Sequence, residues 1–113
     1  MTERLPAHVE AASLIRRVQS EGGFAAVLRK GDPDRGSITL IIRERGELRG
    51  FLERELGADF TYNWSFKGFD PSAEGDSVAG MVARKERFDP DSWLIELDVA
   101  EPERFIAETT RLG

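Results

Sequence analysis

Between Phe24 and Phe66 four segments in succession alternate apolar and polar residues, with short turns between them. Side chains on an extended strand point to opposite faces in turn, so this period marks strands with one buried face. Phe24 to Lys30 is the first, with Phe24, Ala26 and Leu28 on one face. Gly31-Asp32-Pro33-Asp34-Arg35-Gly36 is dense in turn residues,. Ser37 to Arg43 follows, with Ile38, Leu40 and Ile42 alternating, and Glu44-Arg45-Gly46 turns the chain again. Glu47 to Arg54 places Leu48 and Leu52 on one face and Phe51 on the other. After Gly57-Ala58-Asp59, the aromatic residues Phe60, Tyr62, Trp64 and Phe66 alternate with Thr61, Asn63 and Ser65, a composition strongly suited to strands,. Short loops between successive strands favour antiparallel neighbours, so the expectation is a four-stranded meander.

Helical period brackets this block. Pro6 suits the first turn of a helix, where its missing N–H is not needed. Ala7, Ala11, Leu14, Ile15 and Val18 then form one apolar stripe, closed by Gly22-Gly23,. Lys67 to Asp76 is the longest irregular stretch, and two starts for a second helix stay open there, one at Asp70-Pro71 and one near Asp76,. Val78, Met81, Val82, Lys85 and Phe88 continue at helical spacing until Asp89-Pro90-Asp91 stops them,. Trp93, Ile95, Leu97 and Val99 alternate as a fifth strand. Pro102 opens a last helix with Phe105, Ile106 and Thr109 inward, and Leu112 extends it. The order is α-β-β-β-β-α-β-α. The predicted fold is α+β: an antiparallel four-stranded meander plus a fifth strand, with the helices packed on one face. Length and the lack of linkers or repeats predict a single domain over residues 1–113,.

The chain has no Cys, which excludes disulfides, thiolate metal sites and cysteine nucleophiles and fits a reducing cytoplasm,. No apolar run approaches the roughly 20 residues that span a bilayer, and Met1 to Leu5 shows no leader-like apolar core,. A cytoplasmic location is the expectation. A net charge of −5 argues against a general nucleic-acid binder,. Residues 1–54 carry ten Lys/Arg and eight Asp/Glu, whereas residues 55–113 carry six and thirteen. That asymmetry is a means of orienting a partner, or simply a lopsided solvated surface.

Three stretches look familiar: Arg4-Leu5-Pro6-Ala7-His8, Ala26-Val27-Leu28-Arg29-Lys30-Gly31-Asp32 and Arg87-Phe88-Asp89-Pro90-Asp91-Ser92-Trp93. With them the chain resembles a family of small bacterial proteins, mainly alphaproteobacterial, catalogued as domain of unknown function 1491. The resemblance runs over nearly the whole chain. It implies a compact bacterial protein of the cytoplasm, and it brings no activity and no site residues. The stretch Glu74 to Asp76 departs from the family pattern and bears on where the second helix starts.

Few residues form constellations with chemical meaning. His8, the one histidine, has no serine and carboxylate at triad-like spacing and reads as a structural residue of the first helical turn,. Asp32 with Asp34, and Asp89 with Asp91, place carboxylates two apart, a donor type that hard cations take. Each pair flanks a Pro, which is ordinary turn chemistry, and neither lies in a calcium loop, so no metal is expected,. Glu96 and Asp98 share one face of the fifth strand, either as a catalytic pair or as a wet face. Gly31 and Gly36 open onto no helix, so no phosphate loop and no cofactor are expected. The polar partners of the Phe60–Phe66 ladder assign its aromatic side to the core rather than to base stacking.

The surface singled out by strand parity is the outer face of the meander. Val27, Ile41 and Phe51 point away from the helices there, and Arg29, Arg43 and Arg49 rim them. An apolar centre with an Arg rim has the composition of an interface, although scattered exposed hydrophobes are also normal. Two readings follow. One is a non-enzymatic interaction or accessory module, a homodimer or an accessory subunit of a protein partner, docking through these six residues. The other is a small enzyme or nucleotide-binding protein using Asp89, Asp91, Glu96 and Asp98 near Arg84-Lys85-Glu86-Arg87, which requires a concave pocket. RNA binding through the basic first half is a weaker third.

Overall fold

The turn Glu44-Arg45-Gly46-Glu47 shows how closely local chemistry sets this fold. Arg45 and Gly46 both take positive φ, at 52° and 83°, the two-residue hairpin geometry that matches strand twist,. The turn's N–H groups, Arg45 N and Gly46 N, donate to the Asp98 carboxylate at 2.9 and 2.8 Å. The structure is a computed structural model and describes residues 5–56, 58–70 and 77–111. Its elements are α1 (Ala7–Ser20), β1 (Phe24–Arg29), β2 (Ile38–Glu44), β3 (Glu47–Leu56), β4 (Tyr62–Gly68), α2 (Val78–Phe88), β5 (Trp93–Asp98) and α3 (Pro102–Arg111).

The α+β class, the element order and a largely antiparallel sheet stand as expected, and the placement of the fifth strand refines them. The sheet runs β1-β5-β2-β3-β4. β2, β3 and β4 form a meander, while β5 inserts between β1 and β2, antiparallel to β1 and parallel to β2. Composition explains the insertion. Ile38 to Ile42 is buried at every position, and so are Trp93 to Ile95 and Leu97. Strands apolar on both faces belong at the centre of a sheet. β1, with two alanines and exposed Phe24, is a weaker core strand and goes to the edge. The Gly31–Gly36 connection then crosses about two strand spacings, roughly 10 Å, to reach β2.

Central strands that are apolar on both faces need cover on both, and this corrects the expectation that all helices share one face. α1 and α3 pack on Ile38, Leu40, Ile42, Leu52, Trp64, Ile95 and Leu97. α2 packs on the opposite face, where Met81, with Val78 and Val82 beside it, covers Ile41, Phe51 and Leu94. Ser77 caps α2 by accepting from Gly80 N at 3.0 Å. An earlier start at Asp70-Pro71, like the extension of α3 to Leu112, lies outside the described residues.

Two bulges revise the strand parity. The β2–β3 register shifts between Ile42 and Arg43, where Ile42 pairs with Gly50 and Arg43 with Leu48. One extra residue, Arg49, flips every side chain before it. Leu48 therefore joins Phe51 beneath α2, and Arg49 turns towards α3. In β1, Ala25 pairs with Leu97 and Val27 with Ile95, so these two share the α1/α3 face, and a second bulge before Arg29 puts Arg29 opposite Leu94,. The expected pairing of Phe24, Ala26 and Leu28 against the helices is thus reversed.

Candidate functional site

The predicted outer face is not an open surface. Ile41 and Phe51 are 0% and 1% exposed beneath α2. Arg43 lies on that side too, paired with Glu96 through Nε at 2.8 Å. Arg29 is held at its edge by Glu86 of α2 at 3.5 Å and by the Pro90 carbonyl at 2.9 Å. Val27 and Arg49 are on the other face, with Arg49 bridging Glu44 at 2.9 Å and Glu103 of α3 at 2.8 Å. The six residues are therefore divided between two faces, and their apolar centre is core.

The four carboxylates of the alternative reading do not converge. Asp89 accepts from the Ser37 hydroxyl at 3.2 Å near the start of β5. Asp98 caps the β2–β3 hairpin at its far end, and Glu96 is occupied by Arg43. Among the described residues no three His, Cys, Asp or Glu side chains gather as metal ligands. The three familiar stretches instead meet in one corner. Ala7 N and His8 N, at the open start of α1, donate to the Asp34 and Pro33 carbonyls at 3.1 and 2.8 Å, and His8 Nδ1 donates to Pro33 O at 2.9 Å,. Asp32 N reaches Asp91 O at 2.9 Å, and Trp93 Nε1 reaches Asp32 O at 2.8 Å. A Cβ on Gly31 would sit 2.1 Å from Asp91 O, so the two turns touch only because that residue is glycine,. The N–H groups of Arg35 and Asp34 converge on Asp32 and hold its carboxyl below the ordinary range,. The corner is a folding joint whose polar groups serve one another.

A cleft of about 330 Å³ opens between the end of α1 and the start of α3. Its floor is Val18, Val99 and Phe105, and Glu21, Glu101, Arg104 and Glu108 rim it. Arg104 hydrogen-bonds Glu108 at 2.9 Å and lies 3.4 Å from Glu101, while Arg17 stacks on Phe105 at 4.5 Å and pairs with Glu108 at 3.3 Å. The Arg104 contact lowers the Glu108 pKa, so this carboxylate stays ionised rather than serving as an acid near neutrality,. Arg17 and Arg104 thus tie Glu108 and Glu101 into one ion-pair network on the rim.

The last feature is the β4 edge. β4 pairs with β3 from Tyr62↔Leu56 to Gly68↔Gly50 without a register shift, and no described strand lies beyond it. Six of its seven residues are exposed, more than on any other strand with burial given throughout. Its start is fixed by Asp59, which accepts from Thr61 Oγ1 at 2.6 Å and Thr61 N at 3.1 Å; the hydroxyl, then the N–H, lowers its pKa. Its middle is fixed by Trp64, whose ring lies 5.0 Å beneath the Arg54 guanidinium, itself paired with buried Glu10 of α1,. Its end is fixed at Phe66, whose ring lies over Gly50, where a Cβ would approach to 2.6 Å. Alternation assigned this ladder to the core. That holds for Trp64, whereas Tyr62 and Phe66 are partly exposed and Phe60, at φ 63° and 83% exposed, lies outside the strand. The available signal was positional: the last strand of a meander has one neighbour in the chain. The other edge is blunter, because β1 is bulged and Arg29 ties it to α2,.

The family model described as "Protein of unknown function (DUF1491)" matches residues 5–107, and the chain belongs to that family. Solved structures similar to it include a crystal structure of a DUF1491 family protein from Caulobacter crescentus, with TM-score 0.72, 28% identity, and coverage of 86% of this chain and 90% of that one. An NMR structure of a DUF1491 protein from the same organism has TM-score 0.73 at 28% identity, covering 89% and 91%. The solution structure of protein Atu0922 from A. tumefaciens has TM-score 0.67 at 28% identity, covering 86% and 87%. No curated protein matches the chain.

Proposed function

We propose that this member of the family is a non-enzymatic interaction module, a single domain working in the cytoplasm, that docks an extended protein segment along β4. The observation that carries this is the edge itself: a seven-residue strand, exposed at six positions, aromatic on one face and without a bulge. Alternate N–H and C=O groups of such a strand point away from the sheet and pair with an added strand, while side-chain pockets give selectivity. Tyr62 and Phe66 supply the aromatic contacts enriched at interface centres,. Docking of this kind needs no cofactor and no catalytic group. No helix among the described residues is long and apolar enough to cross a membrane. A chain without Cys suits a reducing compartment,.

A synthetic peptide of the sequence Tyr62–Gly68 is the probe. Titrated into the 15N-labelled chain, it is expected to shift the amides of β4 saturably and leave β1 in place. Shifts confined to β1, or none at any concentration the peptide allows, overturn the reading.

A further inference from the structure

We draw no further inference here: the strongest candidate, the cleft rimmed by Glu21, Glu101, Arg104 and Glu108 between the end of α1 and the start of α3, carries none, because Arg17 and Arg104 already hold Glu108 and Glu101 and nothing in the structure points to a ligand for it.

Discussion

Replacing Phe51 by Ala separates two descriptions of the sheet's second face. If that face were open, Phe51 would be a surface side chain, and truncation would cost a few tenths of a kcal/mol and alter association. In the structure Phe51 is 1% exposed and clusters with Ile41, Met81 and Leu94 beneath α2. Truncating a buried Phe typically costs about 3–5 kcal/mol, the transfer term plus the cavity left behind. A 113-residue domain has a total stability of about 6–17 kcal/mol at roughly 0.05–0.15 kcal/mol per residue,. The loss is therefore a large fraction of the whole. Urea unfolding at 25 °C, followed by tryptophan fluorescence, reads it. Trp64 and Trp93 both lie in the core on the other face, so the signal reports the fold rather than the mutated site. Met81→Ala, from the helix side of the same cluster, is expected to cost about 2–5 kcal/mol. The double variant should depart from additivity by about 0.5–3 kcal/mol, because the two side chains share one cavity. A Phe51→Ala cost below about 1 kcal/mol, or strict additivity with Met81→Ala, would refute the seating of α2 on this face.

Three further outcomes follow from the same geometry. Gly50→Ala should destabilise by about 1–3 kcal/mol in the same assay, because its Cβ would lie 2.4 Å from the Lys67 carbonyl and 2.6 Å from the Phe66 ring,. Glu10→Ala should cost about 3–5 kcal/mol by stranding the Arg54 guanidinium, whose side chain is 14% exposed, whereas Glu10→Leu with Arg54→Met should fall within about 1 kcal/mol of wild type,. Asp32 has a pKa depressed in the fold, so its contribution is present above its unfolded value near 3.9 and is lost as pH falls through the lower folded value,. Wild type should consequently lose more thermal stability than Asp32→Asn between about pH 5 and about pH 2, and equal losses would contradict the assignment.

Much of the fold was legible because it is written in local period. Every helix and strand was readable within a few residues from its apolar spacing, and the turn at Glu44-Arg45-Gly46 from its glycine. Strand order was not, because nothing in β1 or β5 alone states which strand neighbours which. The usable clue was that Ile38–Ile42 and Trp93–Ile95 are nearly all apolar, the mark of central strands covered on both faces,. Reading them as alternating led to the expectation of one helical layer. The candidate face was misjudged on two counts: α2 covers Ile41 and Phe51 there, and the bulged strands put Val27 and Arg49 on the other face. Arg49 and Leu28 are bulge residues, and a one-residue insertion inverts parity without any change in composition,. The β4 edge was hidden by the opposite error, since alternation describes which face a side chain takes and not how far from the sheet centre its strand lies. The motifs behind the family resemblance were visible from the start. Their role in joining the start of α1 to two turns depends on contacts between residues 25 or more apart.

Amide hydrogen exchange along β4, measured with and without the Tyr62–Gly68 peptide, tests the account most directly. Protection across Tyr62–Gly68 that rises as peptide is added, with β1 unchanged, is the predicted result. Protection of β4 that is the same with and without peptide, or a rise confined to Phe24–Arg29, would contradict it.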